Sequence, residues 1–276
     1  MNMISPISQI AEPPVAHIAD DDHPRLEDRR FSDPAVAEIV ELWRQRQDFH
    51  RAEKRLTLQT KAILRRFCDG DKVEAERLHK LVIGGVAPIE AQMAVLPLVA
   101  AKKTVEEHRN QIEKTLRKLA KALPIYEAFV KDVRGFGELG LAATVGEIGD
   151  LSAYKSVSAV WKRAGLAVIE GGRQRRVAGD AALLHGYAPE RRSVFWTLAD
   201  SMLKAQGKED KAGPYRRIYD ARKAHERPRV TSDAHAHNRA MRVMFKQLLR
   251  DLAVAWKDLS GQSASDAPES PAREVA

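Results

Sequence analysis

The chain has 276 residues with a formal net charge of +8, and charged residues make up 30% of it against 44% apolar ones. Its single cysteine, Cys68, excludes an intrachain disulfide and fits a reducing cytoplasm, and no run approaches the ~18 apolar residues of a membrane span. The basic excess favours an anionic partner, nucleic acid first among them, although solvated lysine-rich helices would carry the same charge with no partner at all.

Residues 1–32 are rich in Pro, Ser and Asp and read as a disordered arm, with Asp20, Asp21 and Asp22 a solvated acidic run and no signal-peptide pattern before them. A long helix is expected from Asp33-Pro34, an N-cap followed by a proline suited to the first helical position. Leu42, Phe49, Leu56 and Ile63 recur at sevens, whereas the companion row Ile39, Arg46, Glu53, Thr60, Phe67 is apolar only at its ends. Such a one-sided stripe suits a helical hairpin. The run "CDGDK" at 68–72 should end this helix, with Cys68 a buried filler. A second helix is expected over Ile89–Leu123, striped by Val95, Leu98, Val105, Ile112, Leu116 and Leu119, interrupted by Lys102 and Arg109, and bent near Pro97. The two helices should pack antiparallel, with another copy of the chain able to join them.

Composition shifts after Pro124, where glycines become frequent, so a domain boundary is expected at 124–130. The fold class is therefore mainly α: a long, coiled-coil-like antiparallel helical hairpin (33–123), then a compact α-helical domain with helix-hairpin-helix motifs (124–259) and a polar tail (260–276). One β-hairpin is expected, at Ala167–Val177 around Gly171-Gly172.

"VRGFGELGLAATVGEIGD", residues 133–150, reads as a glycine turn entering a helix at about Glu138. Amides at Gly135 and Gly137, on the positive end of that helix, could hold a phosphate, with Arg134 beside them. A plain packing joint between helices is the rival reading. The spacing of Gly135, Gly137 and Gly140 also fits a dinucleotide fingerprint, but no strand precedes it. Lys155, Lys162, Arg163, Arg173, Arg175 and Arg176 follow within about 45 residues, and Ala164-Gly165 is expected to form a second small hairpin. Farther on, Tyr215 and Tyr219 are expected in the core, with Arg216, Arg217, Arg222 and Lys223 adding basic surface. His235 and His237 stand at i, i+2 and do not share a helical face, so a zinc site is weakly supported. In the closing helix Arg239, Arg242, Lys246, Arg250 and Lys257 fall within a ~80° arc opposite Met241, Met244, Phe245, Leu248 and Leu252. That arrangement predicts a packed face and a cationic stripe toward solvent, either merely solvated or a second phosphate-contact surface through Arg242, Lys246 and Arg250.

"GFGELGLAATVGEIGDLSAYKSVSAVWKRAGLA" resembles the start of the C-terminal domain of the IS-one-ten (IS-one-sixteen, IS-nine-oh-two) insertion-sequence transposases, which are similar to the Piv DNA invertases. The matching positions are Gly135, Gly137, Ala142, Glu147 to Asp150, Tyr154, Lys155, Ser156 and Ala164 to Ala167. "HNRAMRVMFKQLLRDL" resembles the domain's closing helix, so the match covers about 123–257. The resemblance implies DNA binding and DNA recombination or transposition, an RNase-H-like metal domain before this region, a nucleophilic serine within it, and in some members a structured RNA guide. Here residues 1–122 carry no strand-borne carboxylates, and the family's Ser-Gly pair corresponds to Glu170-Gly171. Ser193 sits in a helical run. The expectation is a DNA-backbone binder without cofactor, metal or cleavage activity of its own, bacterial and nucleoid-associated. An active transposase with its catalytic residues elsewhere, or a helical scaffold, are the alternatives.

Overall fold

The computed structural model describes residues 33–207 and 211–261. The expected N-terminal arm, its Asp20–Asp22 run and the tail beyond 261 lie outside the described residues. α1 spans Pro34–Leu64, and Asp33 Oδ1 accepts the Ala35 amide at 2.8 Å, as its sequence requires of an N-cap. The helix tightens into a 3-10 turn at Arg65–Cys68 and stops where Asp69 takes φ 46°. α2, Lys72–Ile83, follows, capped by Asp71 through the amides of Val73 and Glu74. This short helix is an addition to the sequence reading. α3, Ile89–Ala122, then returns along α1, so that both exceed thirty residues and reach about 45–50 Å.

The seam between α1 and α3 is not the row of apolar sevens. Leu42, Phe49, Leu56 and Ile63 are half-buried, while Ile39, Glu53, Thr60 and Leu64 are buried. Two polar members of the companion row, Arg46 and Glu53, find polar partners on the opposite helix, while the Thr60 hydroxyl donates to the Leu56 carbonyl of its own helix. Arg46 donates to Glu113 through Nε at 3.0 Å and is paired with it through its second nitrogen at 2.8 Å. Arg109 donates to Glu53 at 2.7 Å and to Glu113 at 2.6 Å. These four side chains are 12–17% exposed. Hence the interruptions at Arg46, Glu53 and Arg109 are one interhelical network, each charge answered within a partly dry seam. Apolar packing resumes on either side of it: a small cluster of Leu64, Ala91 and Val95 toward the tip, and Ile39, Trp43, Leu116 and Ala120 toward the base.

The base of the hairpin does not have a core of its own. One continuous cluster joins Val36, Ile39, Trp43, Leu116 and Leu123 to Phe136, Leu141, Val145, Phe195 and Leu248. The composition change at 124 marks the end of α3, but the core runs across it. α4 (Pro124–Ala128) and a 3-10 turn (Val130–Asp132) lead to α5, Gly137–Ile148, which starts one residue from its expected position. α5 is buried nearly all round, as its run of small and apolar residues dictates. It lies so close to α1 that a Cβ on Gly146 would stand 2.2 Å from the Trp43 ring.

A 3-10 turn (Leu151–Ala153) leads to α6 (Val157–Arg163) and a two-stranded ribbon of β1 (Val168–Ile169) and β2 (Gly172–Arg173). α7 (Ala181–His185), α8 (Pro189–Ala205), α9 (Pro214–Glu226) and α10 (Asp233–Leu259) complete the mainly helical architecture. α10 buries Met241, Met244, Phe245, Leu248 and Leu252, the face its periodicity predicts. Among the described residues no helix is long and apolar enough to cross a membrane.

Candidate nucleic-acid interface

The glycine turn at 133–137 is a joint between packed elements. Arg134 Nε donates to the Ala205 carbonyl at 3.0 Å, and Gln206 Nε2 donates to the Arg134 carbonyl at 2.8 Å, so the turn is tied to the end of α8. Gly135 has φ 83°, and a Cβ there would sit 2.6 Å from Ala205 Cβ and 2.9 Å from Met202 Cα. Gly137, at φ 56°, opens α5 with free space around its α-carbon. The positive end of α5 already faces a carboxylate. A hydrogen bond from its own backbone amide, the Tyr126 hydroxyl at 3.0 Å and the nearby Arg117 hold Glu138 below the usual glutamate range, against a smaller opposing effect of burial. Glu138 thus occupies the first turn of α5, and Arg134, an exposed side chain, commits its Nε to the Ala205 carbonyl.

The signature after the turn is likewise structural. Glu147 Oε1 accepts from Trp43 Nε1 at 2.9 Å and Gln47 Nε2 at 3.2 Å, and its other oxygen lies 3.5 Å from Arg191. Asp150 Oδ1 accepts from the Ser152 amide and hydroxyl and from Trp256 Nε1 at 3.1 Å. These two acids fasten α5 to α1, α8 and α10.

Ala164-Gly165 does not lead into a second helix. Gly165 N donates to the Lys162 carbonyl and Leu166 N to the Trp161 carbonyl, the pair of bonds that closes a helix in a Schellman turn. The chain then enters β1. Three arginines converge on the carbonyls at this negative helix end. Arg191 donates to Arg163, Arg192 to Gly165 at 3.2 Å, and Arg242 to Leu166 and Ala167. The cationic stripe expected on α10 is thus drawn inward in part: Arg242, Lys246, Arg250 and Lys257 are half-buried, and Arg239 is exposed. Arg242 holds this loop, the Lys246 ammonium lies 4.1 Å from the centre of the Trp161 ring, and Arg239 pairs with buried Glu226. Lys257 donates to the Lys155 carbonyl, and Arg250 is half-buried. On α9, Arg216, Arg222 and Lys223 pair with Asp220, Glu226 and Asp233. Tyr215 and Tyr219 are buried, and Tyr219 bonds His237 at 2.7 Å. Among the described residues no three His, Cys, Asp or Glu side chains gather closely enough to hold a metal ion.

Arg173, Arg175 and Arg176 are placed differently. They are exposed along β2 and the segment after it. The turn of the ribbon is Glu170-Gly171, both at positive φ, one residue earlier than the glycine pair suggests. Strand alternation points Arg173 and Arg175 outward and Gln174 inward. Gln174 is 1% exposed. Its amide nitrogen donates to the carbonyls of Lys162 and His185, its oxygen accepts the Ala167 amide, and the Arg175 amide reaches His185 Nδ1. One buried glutamine therefore fixes an arginine-bearing ribbon against α6 and α7. Arg163, by contrast, donates to the Glu147 carbonyl, and Lys162 is half-buried beneath the ribbon's anchor. Lys155 is exposed at the start of α6. Sequence reasoning missed Gln174, His185, Arg191 and Arg192. The only trace of Gln174 is a lone amide amid arginines, with an alternation too short to read.

No family model, curated protein or solved structure matches the chain. The likeness to insertion-sequence transposases rests on the residues quoted for it alone, and several of these do packing work here.

Proposed function

We propose that the protein binds duplex DNA through its phosphate backbone, using the ribbon at 167–177, as a recombination-related protein of the insertion-sequence transposase type. The observation that carries the reading is the ribbon itself. Three arginines stand exposed on a short ribbon whose position is set by buried Gln174, while Arg134, Arg163 and Arg242 are folded onto the chain's own carbonyls. Preorganised guanidinium groups suit phosphate oxygens, and each phosphate contact releases condensed counterions on binding. A narrow ribbon also fits the ~12 Å width of a major groove. The resemblance supplies the recombination context. Glu170-Gly171, which stands where the family has its Ser-Gly pair, forms the tip of the ribbon and offers no hydroxyl.

The test is fluorescence anisotropy with short duplexes of unrelated sequence across a range of salt. Replacing Arg173, Arg175 and Arg176 by Ala should weaken binding to all of them and reduce the salt slope by up to ~3 units. An unchanged slope in a folded variant refutes the assignment of the ribbon, and preferential capture of structured RNA replaces DNA as the ligand. Duplex incubated with Mg²⁺ or Mn²⁺ should stay intact. Robust nicking that depends on Glu170 or Ser193 would establish the active-transposase alternative.

A further inference from the structure

A tryptophan stands open to solvent near the root of the arginine ribbon. All four tryptophans of the chain are among the described residues, and of them only Trp196, 47% exposed, lies on the surface; Trp43 is buried, and Trp161 and Trp256 are half-buried. One exposed apolar side chain is ordinary in itself. What singles this one out is its position, which two helices fix. On α8, Arg192 donates to the Gly165 carbonyl at 3.2 Å, and its Cβ would stand 3.5 Å from a Cβ on Gly165. Trp196 follows one turn later on the same side of α8. On α10, Arg242 donates to the carbonyls of Leu166 and Ala167, and Asn238 precedes it by one turn on the same side. Trp196 Nε1 donates to Asn238 Oδ1 at 3.4 Å, so the two paths meet. The indole therefore lies between α8 and α10, about one helical pitch, ~5.4 Å, beyond the loop 165–167. That loop is also where the ribbon begins. The Ala167 carbonyl accepts the Gln174 amide at 3.0 Å. Arg173 and Arg175, the neighbours of Gln174, thus start about one strand spacing, ~4.8 Å, from the loop.

We propose that Trp196 is a stacking platform for an unpaired base, and that the DNA held by this protein is a duplex interrupted by a few unpaired nucleotides, with the ribbon on the phosphates and the indole on a base. The inference rests on the DNA reading above and narrows its substrate. Inside an intact duplex both faces of each base are covered by its neighbours, so an indole finds no ring to stack on; an unpaired nucleotide leaves a face free. The hydrogen bond to Asn238 is made at the edge of the ring, so it restrains the indole without using its faces. Stacking on an aromatic side chain tolerates any base, which suits a site whose charged contacts go to the backbone and carry no sequence information. The dimensions agree as well. One helical pitch and one strand spacing together make roughly 10 Å between ribbon and indole, the rise of about three nucleotides at ~3.4 Å per phosphate along one strand.

The test compares a fully paired duplex, the same duplex with a short unpaired stretch in one strand, and that gapped duplex with abasic nucleotides in the unpaired stretch. The last two carry the same phosphates and the same flexibility and differ only in the bases. By fluorescence anisotropy the full-length wild type should bind the gapped duplex about tenfold more tightly than the paired one, and the abasic version should lose that preference. Trp196→Leu should lose it too, with unchanged circular dichroism and unchanged affinity and salt slope on the paired duplex, whereas Trp196→Phe, which keeps an aromatic ring, should retain most of it. The emission of the wild-type protein should be quenched by the gapped duplex and not by its abasic version. Equal binding of the gapped and abasic duplexes overturns the proposal, as does a Trp196→Leu protein that still prefers the gapped duplex. Either result leaves the ribbon in place as long as the paired duplex is bound. A wild type that binds none of these duplexes removes the DNA reading and the stacking site together.

Discussion

Glu113 meets two guanidinium groups in the seam between α1 and α3, and its titration follows from that placement. Burial pushes its carboxyl up, but the hydrogen bonds and charges of Arg46 and Arg109 outweigh this and hold it below the usual glutamate range. A folded pKa below the unfolded one gives stability that is complete above the ordinary range and is lost as the pH falls through the depressed folded value. The melting temperature should therefore stay level above about pH 5 and fall below about pH 4. Glu113→Gln should cost ~2–4 kcal/mol at neutral pH, because it leaves two guanidinium groups short of a partner, and it should flatten the acid decline. A variant with the wild-type pH profile would show that Glu113 is not the group responsible. The glycine turn yields a paired comparison. Gly135→Ala meets both a left-handed backbone and the wall of α8, and should cost ~2–4 kcal/mol by urea unfolding. Gly137→Ala meets only the backbone term and should cost ~1 kcal/mol. Equal costs would mean that the contact with α8 is not what requires glycine at 135.

Among the elements, the ribbon depends on Gln174 in a way that separates position from charge. Gln174→Ala removes no cation but abandons the carbonyls of Lys162 and His185. Duplex affinity should drop in anisotropy measurements while the three arginines remain, and Gln174→Glu should fail to restore it because a carboxylate cannot donate to those carbonyls. Wild-type affinity in Gln174→Ala would show that the ribbon needs no anchor. How legible each element was depended on the range of its interactions. α1, α3 and α10 could be read because capping and 3.6-residue periodicity are local signals. The buried seam was misplaced onto the apolar sevens because the charges at 46, 53, 109 and 113 become compatible with burial only in pairs, and a single helix does not show its partner. For the same reason the stripe on α10 read as turned to solvent or to phosphates: whether Arg242 and Lys246 face outward depends on α6 and the loop after it, far away in sequence. The packing of Gly135 against Ala205 and Met202 and the placement of Glu138 in the first turn of α5 were not legible at 135–138, because they belong to tertiary packing.

At the scale of the whole molecule, the continuous core predicts cooperation between the base of the hairpin and the helices beyond residue 124. A fragment of residues 124–261 lacks Trp43, the neighbour of Gly146 and Glu147, and should not fold alone. Calorimetry of the full chain should show one main transition, and two well-separated transitions would mean that hairpin and helical body are autonomous. Hydrogen exchange should be faster at the tip, where the apolar cluster around Leu64, Ala91 and Val95 is small, than at the base. The ionic seam between those two apolar regions bears on assembly errors as well as stability. Long helices with heptad-like rows can settle one heptad out of step, and apolar contacts alone penalise such a slip weakly. Here a slip of seven residues in one direction sets Glu53 opposite Glu113, and in the other it sets Arg46 opposite Arg109. Each places like charges in a partly dry seam, so both misaligned hairpins are costly and only one alignment satisfies every charge. The cations and anions that break the apolar rows thus act as a proofreading step on the folding of a long, otherwise permissive pair of helices.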